Sequence, residues 1–299
     1  GPFFCEQRTV IVYNHTMIID AHTHIFPPEF IAGRNELLTD PCFAEMYANP
    51  KARMVTADDL VASMDEAGVD VSVAAAINWG DSGLCSSHND YLIDAVKRYP
   101  GRIIGLGMVV IKPDASYLVE LDRIKKGGLA GIGELRLDIS GIDFEEGNET
   151  GRVMDYLAEN DMVLMMHSSE PVGHLYPGKG KQTPEYIYPL VKKYPSVKII
   201  LGHLGGGLPF YLLQPEVKQD CRNVYYDTAA LPYLYESRAY RLSAELAGVE
   251  KILFGSDFPL MKQQRALDFL DRAALSREDK ERVLGLNARN LFGIKVESE

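Results

Sequence analysis

The sequence predicts an α/β fold, a single-domain (β/α)8 barrel. Short apolar runs recur along the chain, and amphipathic stretches fill the gaps between them. The length of 299 residues falls within the range that one such barrel uses. Hydrophobic residues make up 46%, enough for a sizeable core.

The runs occupy residues 17–24 (MIIDAHTH), 69–77 (VDVSVAAAI), 103–110 (IIGLGMVV) and 129–135 (LAGIGEL). They continue at 162–168 (MVLMMHS), 198–204 (KIILGHL), 224–229 (VYYDTA) and 252–259 (ILFGSDFP). Near-continuous apolar runs suit parallel strands buried on both faces. Between them, Thr56 is a good N-cap for a helix over 57–67, which Gly68 can stop. A helix over 89–99 ends before Pro100, and one over 114–126 ends in Gly127-Gly128. A helix over 184–194 starts on proline, a residue suited to the first helical position. Ser276 to Asp279 resembles a capping box, with Asp in place of the usual Glu. Eight strand–helix units in one chain predict a closed parallel barrel with helices outside. Two connections are long, 25–55 after strand 1 and 169–183 after strand 5. Both leave the C-terminal ends of strands, where barrel active sites lie.

The barrel is assigned to 17–299 and an N-terminal extension to 1–16. The opening Gly1-Pro2 reads as a cleavage scar, and 1–16 lacks the basic start and long apolar stretch of a secretory signal. The net charge of −11 argues against nucleic acid or anionic membrane as the main partner. No run approaches the about 20 apolar residues of a membrane span. Cys5, Cys42, Cys85 and Cys221 are widely spaced and form no CxxC pair. They read as free thiols, and the chain as cytoplasmic with a small-molecule substrate.

Ionisable residues close several of the apolar runs. His22 and His24 stand two apart at the end of strand 1, where period-two geometry points both to one face. Alone, such a pair is a weak signal for metal beside the reading of a satisfied structural pair. Glu134 closes strand 4, His167 strand 5, His203 strand 6 and Asp257 strand 8. A barrel core prefers branched apolar side chains, so polar groups at one mouth need a metal or hydrogen bonds to hold them. Four imidazoles and two carboxylates are the donors that zinc and similar divalent ions take.

DAHTHIFPP at 20–28, GHLGGGLPF at 202–210, FGSDFP at 254–259 and LGLNARNLFG at 284–293 resemble the amidohydrolase superfamily, specifically its amidohydrolase-related (family 2) branch. The resemblance runs from about Met17 to Ile294. It implies a TIM barrel, a divalent metal, usually zinc, a metal-activated water and a strand-8 aspartate as proton shuttle. It also implies a homo-oligomer. His22, His24, His167, His203 and Asp257 match its motifs position by position. One ion on His22, His24, His167 and Asp257 would leave His203 as a catalytic acid–base group. Two ions would be bridged by Glu134, with His167 and His203 on the second. Glu134 could instead orient a histidine.

The resemblance implies hydrolysis of a small ester, lactone or amide, with Asp257 and His203 as catalytic groups. The alternative is a decarboxylase of a small unsaturated or aromatic acid. Salicylate-type decarboxylases tend to carry glutamate where His22 stands, and some carry a glutamate after HLG that this chain lacks. Both points favour hydrolysis. A noncatalytic metal-binding barrel would need neither Asp257 nor the two long loops. Substrate-binding candidates are Arg136, which shares a side of strand 4 with Glu134, and His174, Tyr176, Lys179 and Lys181 in the loop after strand 5. Arg136 could clamp a substrate carboxylate or pair with Asp138. Trp79, after strand 2, is an aromatic wall or the rim of the core.

Overall fold

The computed structural model describes residues 9–11, 16–140 and 148–297. Eight parallel strands follow one another in chain order: β1 (Ile19–Thr23), β2 (Val71–Ala75), β3 (Ile103–Gly107), β4 (Gly131–Leu135), β5 (Val163–Met166), β6 (Lys198–Leu201), β7 (Val224–Asp227) and β8 (Ile252–Leu253). The seam between β8 and β1 is closed by Ala21 N–H to Phe254 O (2.8 Å), His24 N–H to Phe258 O (2.7 Å) and Asp257 N–H to His22 O (2.9 Å). The expected (β/α)8 barrel is therefore the observed fold.

The inner core contains Ile19, Ala21, Val71, Val73, Ala75, Leu106, Val163, Met165, Ile200 and Leu253. Larger residues between strands and helices form the second apolar layer. Helix Ala57–Ala67 starts on a capping box between Thr56 and Asp59 and stops at Gly68, whose φ of 70° suits glycine. The helix expected over 89–99 is longer, Ser82–Arg98, because Asp81 caps it by accepting from Leu84 N–H. Those expected over 114–126 and 184–194 run Ser116–Lys126 and Pro184–Lys193. Ser276 caps Arg277–Glu281 as its spacing predicts.

Strands 6 and 8 are shorter than their apolar runs. Just beyond them, side-chain carboxylates take up the backbone donors of His203 and Ser256. Asp227 accepts from His203 N–H, and Asp20 accepts from Ser256 N–H (2.9 Å) and Ser256 Oγ (2.5 Å). The loop after β1 holds three short helices, Pro28–Ala32, Arg34–Leu37 and Pro41–Tyr47.

Cys42, Cys85 and Cys221 are buried free thiols; Cys5 lies outside the described residues. Most of 1–16 does too, but Thr9–Ile11 pairs in parallel with Lys295–Glu297. Part of the segment assigned to an extension thus adds a strand. Among the described residues, no helix is long and apolar enough to cross a membrane.

Candidate metal centre

Two bulges aim the central donors. In β1, Ile19 and Asp20 face Val71 and Ser72, but Thr23 faces Ala74, so β1 carries one extra residue. Ile19 and Ala21 already point into the barrel. Strict alternation would turn His22 outward; the extra residue turns His22 and then His24 inward. β4 repeats the device, with Ile132 opposite Leu164 but Leu135 opposite Met166. That shift brings Glu134 to the inside.

Six side chains meet there, all nearly or fully buried: His22, His24, Glu134, His167, His203 and Asp257. Each imidazole has one ring nitrogen committed to an outer partner that can only accept, or whose own proton is used elsewhere. His22 Nδ1–H donates to Asp227 Oδ2 at 2.7 Å, and His24 Nδ1–H to Ala75 O at 3.0 Å. His203 Nδ1–H donates to Ala229 O at 3.0 Å. Ser169 Oγ donates to Lys179 O, so it accepts from His167 Nε2–H at 3.0 Å.

The remaining nitrogens all face inward. His22 Nε2 and His24 Nε2 are 3.1 Å apart. Glu134 Oε2 lies 3.8 Å and 3.7 Å from those two atoms. Glu134 Oε1 lies 2.9 Å from His167 Nδ1 and 3.5 Å from His203 Nε2. Asp257 Oδ1 is 3.8 Å from His22 Nε2 and 3.5 Å from His24 Nε2. Neutral imidazoles would set lone pair against lone pair here, and lone pair against carboxylate. A cation resolves this. Ligands on a tetrahedral ion with bonds of about 2.0–2.1 Å sit roughly 3.3 Å apart, and the observed spacings bracket that value. Among the described residues, His22, His24 and Asp257 form one grouping able to hold an ion, and His22, Glu134 and His203 another.

Electrostatics point the same way. Burial alone lowers the His22 imidazole, but the Asp227 and Glu134 charges outweigh it and carry the group up to about 10. Burial likewise opposes His203, which Glu134 and Asp257 raise to about 9. Burial pushes Glu134 upward, yet His167 and His22 hold it well below the usual carboxylate range. Asp257 is lowered against burial by His24, His22 and His203. A field that binds protons this firmly also favours a divalent cation in their place.

Two of these six residues are held in unusual backbone. His203 and Asp257 have φ of 53° and 68°, left-handed values that cost roughly 1–3 kcal/mol each for non-glycine residues. Gly206 makes the turn after β6 feasible, because any Cβ there would run into Ser169 O.

The substrate-binding candidates fare differently. Arg136 is buried, with Nε and Nη2 on Asp138 (3.3 and 2.9 Å) and Nη1 on Glu45 (3.0 Å). Gly180 packs so closely on its guanidinium that a Cβ would collide. Of the two readings open for Arg136, a substrate clamp or a pair with Asp138, the pair is the one seen: the guanidinium joins β4 to the loops after β1 and β5. Arg136→Met should therefore leave KM unchanged but destabilise the fold by about 3–5 kcal/mol, read by urea unfolding, because two carboxylates lose their partner. Trp79, 1% exposed, packs on Phe30 and Phe43 and donates to His88 Nδ1 at 3.0 Å; it belongs to the core, not to a cavity wall. His174 is exposed on the loop surface beside Tyr176. Lys179 Nζ is taken up by Val172 O and His174 O, and Lys181 is exposed, its backbone N–H on Asp138. Tyr176 is half-buried, donates to Glu170 Oε2 at 3.2 Å and feels the Asp257 charge.

Two residues escaped the sequence reading. Asp227 ends β7 as Asp257 follows β8, and that parallel was the available signal. Tyr47, from the loop after β1, stacks on Phe43 and meets Phe26 edge-on, within reach of the Asp257 and Glu134 charges. Nothing in its sequence context marks it.

The amidohydrolase family model matches residues 19–294. Gamma-resorcylate decarboxylase of Polaromonas sp. strain JS666 is 25% identical over 252 residues, 68% of this chain and 74% of its own length. The crystal structure of 5-carboxyvanillate decarboxylase from Sphingomonas paucimobilis superposes with a TM-score of 0.76 at 21% identity, over 94% of this chain and 100% of that one. A dihydroxybenzoic acid decarboxylase from Polaromonas sp. JS666, solved with manganese and the inhibitor 2-nitroresorcinol, gives a TM-score of 0.71 at 20% identity, over 93% and 97% of the two chains. These relatives overturn the expected hydrolysis of an ester, lactone or amide, since the activities they are named for are decarboxylations. The donor set is one for a divalent metal ion, and the manganese in that neighbour is not the zinc expected from the sequence.

Proposed function

Since the chain belongs to the amidohydrolase family, we propose that it is a divalent-metal-dependent decarboxylase of a small aromatic carboxylic acid. What carries the reading is the match to gamma-resorcylate decarboxylase by a chain that also gathers the six donors at one barrel mouth. On sequence alone, His22 in place of a glutamate favours hydrolysis. Glu134 answers that point, because its Oε2 brings a carboxylate to the same two imidazole nitrogens.

The reaction breaks one carbon–carbon bond, releases CO2 and leaves a proton on the ring carbon that bore the carboxylate. A bound ion supplies positive charge that holds the acid's oxygens. His22, His24 and Asp257 would hold it, with Glu134 Oε2 alongside. His22 has a single inward nitrogen, and that atom is shared by both groupings able to hold an ion. This favours one ion over two. Glu134 Oε1 then faces His167 Nδ1 and His203 Nε2, and it accepts a hydrogen bond from either nitrogen when that nitrogen carries a proton. Zinc and manganese both suit a mixed imidazole and carboxylate set. Asp257 and His203 face the same space and are the groups able to hold and move the incoming proton. Phe26, Phe43 and Tyr47 pack together in the loop after β1 and shield this side of the site from water.

The test is a substrate panel on protein loaded with zinc or manganese, with hydroxybenzoic acids beside esters, lactones and amides. The reading predicts CO2 release and the matching phenol from at least one acid. Cleavage of an ester, lactone or amide with no CO2 from any acid would overturn it.

A further inference from the structure

Asp227 is fully buried at the end of β7, and three donors from different parts of the chain converge on it. Oδ2 accepts from His22 Nδ1 at 2.7 Å. Oδ1 accepts from the backbone N–H of His203 and of Ala229, both at 3.0 Å. One carboxylate thus touches the β1 ligand and pins the left-handed turn that carries His203.

We propose that Asp227 is a positioning residue that sets which nitrogen of His22 is free for the metal and fixes the backbone from which His203 reaches the site. This rests on the metal-centre reading above. The reasoning is one of donor and acceptor capacity. Oδ1 faces two N–H groups, so an oxygen must stay there. Oδ2 faces Nδ1, and an ionised carboxylate can only accept, so Nδ1 carries the proton and Nε2 keeps its lone pair toward His24. Asparagine has the same shape but a different polarity. Its amide oxygen would keep the Oδ1 place, leaving the NH2 against His22 Nδ1. That group can only donate, so the proton would move to Nε2 and cover the ligating atom.

The closing experiment measures zinc affinity of Asp227→Asn and wild type by competition with a chromophoric chelator, together with ring nitrogen-15 spectra of the zinc-loaded proteins. The His22 signals are assigned by their absence in His22→Gln. Partners of this kind are typically worth roughly 10–100-fold in metal affinity. The proposal predicts a loss of at least that size, with the His22 proton on Nε2 in the variant and on Nδ1 in wild type. Unchanged affinity overturns it, as does a lower melting temperature with unaltered affinity, which would make Asp227 structural only. If the variant does not fold, the wild-type spectrum decides: zinc on Nδ1 of His22, or Nε2–H in the loaded protein, overturns the assignment. None of these readouts requires turnover, so failure of the decarboxylase reading would appear separately, in the substrate panel.

Discussion

His24→Ala should strip the bound ion and abolish turnover. The change removes a ligating nitrogen but leaves little else unpaired, because His24 Nδ1 bonds only to the Ala75 carbonyl. Metal affinity should fall by more than the roughly 10–100-fold that an outer partner is worth. Turnover should fall by about 10³-fold or more, the equivalent of the several kcal/mol that a bound ion contributes to charge stabilisation. His22→Ala should lose metal as well, but it also leaves Asp227 buried without its imidazole partner. An unpaired buried charge costs about 3–5 kcal/mol, so that variant mixes lost ligation with lost stability. Metal analysis of the folded protein, with a melting curve beside it, checks both. Full metal content in His24→Ala would make the histidine pair structural.

His203→Asn should give the opposite pattern. The ion on His22, His24 and Asp257 should stay, while kcat falls by about 10²–10⁴-fold, the range lost with a general acid–base group. The decisive numbers are ions per chain in wild type and variant, measured on the samples used for kinetics. One ion in both, with activity lost only in the variant, supports His203 as a proton-transfer group. Two ions in wild type and one in the variant would place His203 on a second ion, with Glu134 as the bridge.

Much of this site could be read in advance, and the reason is geometric. A barrel strand that runs apolar and ends on an ionisable residue announces its own mouth. His167, His203 and Asp257 were visible in that way. The inward aim of His22 and Glu134 rests on an extra residue in each strand, seen only when the neighbouring register is known. Asp227 sat unnoticed at the end of VYYD because a lone strand-end aspartate has many ordinary uses. Arg136 was half legible, since its pair with Asp138 lies two residues away in the sequence. Its side of the strand was inferred from spacing alone, but its partner Glu45 comes from a distant loop that no local pattern connects to it. The reaction class was misjudged for a chemical reason. One ring of imidazoles and carboxylates serves both to activate water and to hold an acid, and the first histidine of the pair does not separate the two.

The most direct test of the central claim is the reaction run in D2O with chelator-stripped protein before and after metal is restored. Decarboxylation predicts that only the metal-restored protein turns over. It also predicts that the product carries one deuterium on the ring carbon that lost its carboxylate, with CO2 released in equal amount. A product that keeps its carboxylate and gains a solvent oxygen at a cleaved ester, lactone or amide, or turnover that survives metal removal, would contradict the account.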